Sequence, residues 1–225
     1  MPSTVVHVAL AALVAAALLR EEFGARALAV VVAAVVFIDL DVFVGWFAVG
    51  THRAAFHTLL FPGLLAALLL WDTRLRERSA VRERFSGRGV RIGWVAVAAV
   101  VFGGIGPDLF FNGVNVLYPI HDQFYKLDGE VLLSNQRGFV QTFVDLSPPE
   151  TGGDTGGGEV AVGSTETIND TYQTGVDPEP SESGGETGEQ DVERVFPVVQ
   201  SGQQALLVVT SAFVVGTRLL ETRRE

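Results

Sequence analysis

Apolar residues gather in two stretches, 4–111 and 203–220, and short charged clusters cut these into five runs. The runs are Val5–Leu19, Phe23–Ile38, Ala54–Trp71, Ile92–Phe111 and Ala205–Leu220. They read as transmembrane helices. Several hold only about 16 residues, so each needs its flanks to complete a bilayer crossing. The second run extends through Val42–Val49 if Asp39 and Asp41 sit inside a longer or broken span. The first run is followed by Arg20, Glu21 and Glu22 and preceded by no basic residue, the reverse of a secretory signal's layout. The pattern predicts an all-α polytopic membrane protein with about five transmembrane helices.

The stretch between the fourth and fifth runs divides in two. Residues 112–146 have the look of ordered chain. Phe124–Leu127, then Asp128-Gly129, then Glu130–Leu133 predicts a small outward β-hairpin with a type I′ turn, and Phe139–Leu146 offers a third strand. Residues 147–193 are rich in Gly, Ser and Thr and carry Pro148-Pro149, Gly156-Gly157-Gly158 and Gly184-Gly185. From Asp145 to Glu193 there are thirteen acids and no base, so no core can offset the ordering entropy there. The chain thus divides into a four-helix membrane domain (1–120), a small extracytoplasmic β segment (121–146), a disordered acidic loop (147–193), and a last helix with a basic tail (194–225). Asn169-Asp170-Thr171 is a glycosylation sequon within the loop.

Charge adds orientation and excludes one partner. The 225 residues are 48% hydrophobic yet carry a net charge of −10. Cysteine is absent, which rules out disulfides and thiolate metal sites. One lysine, Lys126, stands against fifteen arginines, and an acidic, lysine-poor exterior suits a halophilic setting in which salt screens self-repulsion. The same acidity argues against nucleic acid as a ligand. Arg20 and Arg26, the seven arginines from Arg74 to Arg91, and Arg218, Arg223 and Arg224 account for 12 of the 16 basic residues. Five spans starting outside put all of them on one side, which the positive-inside rule makes cytoplasmic. The amino terminus and the acidic loop then face outward, in a multi-pass protein of the cell membrane whose lipid bilayer is its first partner.

The ionisable residues near the spans fall at the other side. His7 lies at the start of the first run, Asp39 and Asp41 at the end of the second, His52 and His57 around the start of the third, and Asp108 near the end of the fourth, with His121 shortly after. Because successive spans alternate direction, these positions share the outer face. Imidazoles and carboxylates gathered there suit a divalent metal, and ionisable groups bordering spans are costly and usually functional. Alone, each has a plainer role: Asp108, after Gly106-Pro107, suits a helix N-cap, and His57 suits a backbone hydrogen bond. Asp39 and Asp41 are two apart and point to nearly opposite faces of a regular helix, so both ligate only if the helix ends and the chain turns. Unwinding before Ala54 would lay His52 and Arg53 over the helix start, where Arg53 offers a planar donor to a phosphate.

The motifs His7, Asp39-Leu40-Asp41 and His52-Arg53-Ala54-Ala55-Phe56-His57-Thr58 resemble the YdjM-like, LexA-binding and inner-membrane-associated family of membrane-bound metal-dependent hydrolases. The last motif is similar to that family's His-Arg-Gly-x-Thr-His-Ser signature. Gly106-Pro107-Asp108 through Gly113-Val114 to Leu117-Tyr118-Pro119 is similar to its fourth block. The resemblance covers residues 1–120 and includes a distant likeness to zinc-dependent phospholipase C and P1-type nucleases. It departs at Gly104, where the family usually has a histidine, and at Ile38, which replaces a common proline. No motif here would carry LexA binding.

The resemblance implies hydrolysis of phosphoesters or phospholipid headgroups at the outer face. His7, Asp39, His52, His57 and Asp108 would be metal ligands, Asp41 a supporting base or bridging carboxylate, and Arg53 the stabiliser of phosphate charge. His121 stands as a spatial substitute for the ligand missing at 104. Mixed His/Asp ligation puts Zn²⁺ first and Mn²⁺ next. Two other classes compete. A transporter would need polar residues deeper in the spans, and the second, third and fifth runs hold almost none. A non-catalytic membrane protein would use the metal only to tie helix ends together.

Overall fold

The computed structural model describes residues 3–44, 53–111, 113–127, 129, 131–141 and 198–223. Expectations for His52, for the acidic stretch 147–193 and for Asn169 lie outside these residues. The described chain is mostly helical: α1 (Thr4–Leu18), α2 (Ala25–Asp39), α3 (Asp41–Val44), α4 (Leu60–Leu70), α5 (Ala80–Ala99), α6 (Gly106–Phe111) and α7 (Gly202–Glu221), with a hairpin of β1 (Val131–Ser134) and β2 (Gly138–Gln141).

Helix α1 is the central post, packed by α2, α5, α7 and the segment Val100–Ile105. Its buried residues include Ala9, Ala11, Ala12, Ala15 and Ala16, side chains small enough to admit neighbours closely on several sides. The tightest approach is at Gly103, where an added Cβ would lie 3.0 Å from the Ala11 nitrogen and 3.2 Å from its Cα. Ser3 caps α1, its hydroxyl accepting the Val6 N–H and donating to the Val198 carbonyl. Ser211 of α7 donates to the Ala9 carbonyl at 2.8 Å. At the other end, carbonyls around the terminus of α1 that lack intrahelical partners are taken by arginines from two other helices. Arg91 reaches Leu18 at 2.8 Å and Arg218 reaches Leu19 at 2.9 Å, while Arg218 also lies over the Phe23 ring.

Segment Val100–Ile105 has π-helical geometry and joins α5 to α6 without a break. Pro107 has no N–H to give to a regular α-turn, and the widened turn just before it is where the helix absorbs that loss. Ser86, at φ +60° and ψ −168°, breaks α5, so Arg88 and Arg91 lie on the helix that runs on into the fourth apolar run, while Arg82 and Arg84 lie on a separate short helical segment before it. Ala80–Phe111, 32 residues, and Gly202–Glu221, 20 residues, are long and apolar enough to cross a bilayer. The other main helices are shorter: α1 and α2 have 15 residues each and α4 has 11. Fifteen residues rise only about 22 Å, against a hydrocarbon core of about 30 Å. Large apolar side chains nevertheless point outward all round the bundle, among them Val30, Leu64, Phe102 and Phe213. Such a girdle fits lipid better than water.

Two local expectations are corrected. The third helix begins at Leu60 instead of Ala54, because the Val116 carbonyl accepts both the Leu59 N–H and the Thr58 hydroxyl and holds 53–59 as turns. The hairpin joins β1 to β2, with Val131 opposite Gln141, so Val131–Leu133 pairs forward with Phe139–Gln141 and not back across Asp128-Gly129. The turn chemistry of Ser134–Gly138 decides this. Ser134 Oγ accepts the N–H groups of Gln136 and Arg137, and Gly138 takes φ +70°. Tyr125 instead bridges Val114.

Asp72 fixes the link between α4 and α5. One carboxylate oxygen accepts from Arg76 and the Ala80 N–H, the other from the Ser79 hydroxyl and the Val81 N–H. The Ser79 bond, followed by those backbone donors and Arg76, lowers its pKa from 3.8 to about 2. A depressed carboxylate stabilises the fold above its unfolded pKa, and that contribution is lost as pH falls from about 4 through about 2. Asp72→Asn is expected to fray the start of α5, read as faster amide exchange at Ala80 and Val81. The difference from wild type should vanish at the acid end of that window.

Candidate metal centre

Six side chains meet at one end of α1. His7 is on its second helical turn. Helix α2 ends at Asp39, Leu40 caps it, and α3 starts at Asp41, so the chain turns between the two acids and both face the same centre. Phe37 stacks on Phe56 and Phe61, with centroids 5.2 and 5.4 Å apart, seating the 53–59 turns against α2 and bringing in Arg53 and His57. Asp108 enters from α6, positioned against α1 by the Gly103–Ala11 approach about a turn below.

The distances have the scale of a coordination shell. His57 Nε2 is 3.4 Å from Asp39 Oδ1 and 3.4 Å from Asp108 Oδ2, and His7 Nε2 is 3.7 Å from Asp108 Oδ1. Ligands about 2.0 Å from a tetrahedral metal stand roughly 3.3 Å from each other. One donor atom each from His7, His57 and Asp108 falls within a 4.8 Å group, and all three residues are buried. His7 Nε2 is buried and makes no hydrogen bond.

The far ring nitrogens are held by carboxylates. His7 Nδ1 is 3.0 Å from Asp39 Oδ1, and His57 Nδ1 is 2.7 Å from Asp41 Oδ2. A proton on each Nδ1 aims the Nε2 lone pair at the centre, the usual support for a metal-binding imidazole. Asp41 is fully buried and also accepts the Arg53 N–H at 2.9 Å, so its geometry is that of an orienting group for His57.

Arg53 has φ +61°, a left-handed conformation costly for a side chain of its size. That turn sends its N–H to Asp41 while its Nε lies 3.9 Å from Asp108. Among the six described side chains, three carboxylates and one guanidinium sum to two negative charges beside two imidazoles. A divalent cation balances them, and so do two protons. Burial by itself would push His57 toward its neutral form. The Asp41 charge, hydrogen bonds to Asp39 and Asp41, and the Asp108 charge outweigh it and hold the pKa well above 6.5.

Gly104 and His121 fall outside this constellation. A Cβ at Gly104 would lie 2.3 Å from Ile38 Cδ1, so the two departures from the family pattern touch, and Ile38 fills the space that a side chain at 104 would need. His121 is exposed, with Nε2 3.0 Å from Gln123 Oε1, and it does not join the His7–His57–Asp108 group. Asn115 was not among the expected residues, yet it is fully buried and pins the turn. It donates its N–H to the Arg53 carbonyl at 3.0 Å and its amide to Asp122 at 2.7 Å. A lone amide between Val114 and Val116 is the only hint that the sequence offers.

In comparison with known proteins, residues 1–161 match a family model described as YdjM inner membrane protein. No curated protein and no solved structure matches the chain.

Proposed function

Starting from the chain's membership of the YdjM inner membrane protein family, we propose that it is a membrane-bound, metal-dependent hydrolase of phosphoesters or lipid headgroups. The observation that supports this best is the grouping of donor atoms from buried His7, His57 and Asp108 within 4.8 Å of one another, with Asp39 Oδ1 3.4 Å from His57 Nε2 at its side. In this reading those four residues hold the metal, with His52, which lies outside the described residues, as a further ligand. Asp41 orients His57. Arg53 offsets the acid charge beside Asp108 and offers N–H groups to a phosphate that reaches the centre. A bound divalent metal supplies Lewis acidity, polarising a phosphoryl oxygen and acidifying water. Nitrogen and oxygen donors favour Zn²⁺, with Mn²⁺ next. The protein would cross the membrane several times, with its arginine-bearing end cytoplasmic and the metal centre outward.

A structural tie is the second reading, favoured by burial. His7, His57 and Asp108 are all at most 3% exposed, which leaves little room for an exchangeable water. Metal analysis of detergent-purified protein, with a screen of phosphodiester and phospholipid hydrolysis, separates the two. Affinity should fall as pH drops, since protons compete for the imidazoles. Asp41→Asn should weaken metal binding by about 10–100-fold, the worth of an outer hydrogen-bond partner. Wild-type protein that binds neither Zn²⁺ nor Mn²⁺ would reduce the cluster to a buried ion-pair network. Metal binding without hydrolysis of any phosphoester would leave the structural tie.

A further inference from the structure

At the opposite end from the metal centre, α2, α4 and α5 frame a half-open cavity of about 660 Å³. That volume is in the range of small-molecule sites, about 300–1,000 Å³. Its walls are apolar, formed by Ala27, Val30, Leu69, Val81, Phe85 and Ile92. Gly89 and Gly93 lie one turn apart on α5 and line it with no side chain. Its remaining lining residues include three charged ones, Glu22, Arg26 and Arg88. Glu22 is already paired with Arg91 at 3.3 Å. Arg26 makes no ion pair among the described residues. Arg88 makes only long contacts, 3.4 Å each, to the Glu21 and Glu22 carbonyls. The cavity therefore joins an apolar trough to two guanidinium groups that make no ion pair among the described residues, and the one acid in its lining, Glu22, is paired with Arg91. It lies at the arginine-bearing end, where a bilayer would place its headgroups.

We propose that this cavity binds an anionic phospholipid, with one acyl chain along Val30, Leu69 and Ile92 and the headgroup phosphate between Arg26 and Arg88. A zwitterionic lipid would fill the same trough but carry a cation toward two cations. Basic pockets between membrane helices select acidic headgroups for this reason. The inference is independent of the metal chemistry at the other end. It requires only that the bundle be embedded in lipid.

Full-length protein in detergent, stripped of lipid and titrated with phosphatidylglycerol or phosphatidylcholine under native mass spectrometry, tests it. Wild type should retain phosphatidylglycerol preferentially, and glycerol phosphate without chains should not displace it. Arg26→Gln with Arg88→Gln should weaken phosphatidylglycerol binding roughly thirtyfold, two charges at the usual worth of a cation near acidic lipid, and leave phosphatidylcholine unchanged. Val30→Trp, on an outward-facing position, should block both lipids. Arg82→Gln with Arg84→Gln, outside the cavity, should change neither. If the double variant fails to fold, Arg26→Gln alone decides, because Arg26 supports no ion pair. Equal binding of the two lipids by wild type, or an equal loss in the Arg82/Arg84 pair, would overturn the proposal in favour of diffuse surface charge.

Discussion

Gly103→Val is expected to cost about 3 kcal/mol or more, on the scale of truncating a large buried apolar side chain. The added atoms meet the backbone of Ala11 at 3.0–3.2 Å, and a helix backbone has no rotamer through which to yield. Overpacking usually costs about 1–3 kcal/mol, and a site whose neighbour is main chain belongs at the top of that range or above it. The only relief is to push α6 and the π segment away from α1. That movement also parts His7 from Asp108, so metal affinity should fall together with the melting temperature. Gly216→Ala on α7, where an added Cβ meets nothing within 4 Å, is the matched control and should melt like wild type. A Gly103→Val protein that melts within a degree or two of wild type and binds metal normally would show that the close approach does not position the site.

His57→Ala carries the second large effect. It removes the Nε2 that faces both Asp39 and Asp108, and it takes from buried Asp41 the imidazole that it orients. Metal affinity should drop by more than about 100-fold, since loss of an outer partner alone accounts for 10–100-fold. If the centre is catalytic, the variant inserts and purifies but no longer hydrolyses. If the metal is a structural tie, the melting temperature falls instead, because binding energy is then folding energy. The pH dependence gives a further readout. A histidine whose folded pKa is raised stabilises the metal-free protein fully below 6.5, and that stabilisation is lost as pH rises through the folded value. Added metal should therefore stabilise wild type most on the alkaline side, and His57→Ala should show neither trend. A wild-type protein whose stability ignores both pH and metal would remove His57 from the centre.

The gathering of His7, Asp39, Asp41, His57 and Asp108 at one end was legible because it depends only on position within apolar runs and on alternating helix direction. What the side chains do there was not. Asp41 faces His57 Nδ1 because α2 stops at Asp39, and although the second apolar run ends at Ile38, the apolar residues of Val42–Val49 leave a longer span equally open. Helix α4 starts six residues after the third apolar run does, since Ala54–Leu59 is apolar enough for a span but its turns are imposed by Val116, far along the chain. Asp128-Gly129 is the stronger local turn signal, yet the hairpin turns at Ser134–Gly138, where the Ser134 hydroxyl caps the turn and Gly138 takes positive φ. The cavity at the arginine end came from pairing α2 with α5, which no linear pattern contains.

The contact between Ile38 and Gly104 bears on the order in which this sequence can change. Relatives that carry histidine at the second position would, by the resemblance, have another donor there. Here that route is closed from one side. A histidine placed at 104 while Ile38 remains would begin with a Cβ inside the isoleucine methyl, in a place where Ile38 is fully buried and cannot swing out to solvent. Trimming Ile38 first opens a void beside Gly104, costing on the order of 1 kcal/mol for isoleucine to valine, and only then is there room to build. Two positions 66 apart in the chain thus behave as one locus. Substitutions made in one order pass through a folded protein, and the same substitutions reversed pass through a steric clash.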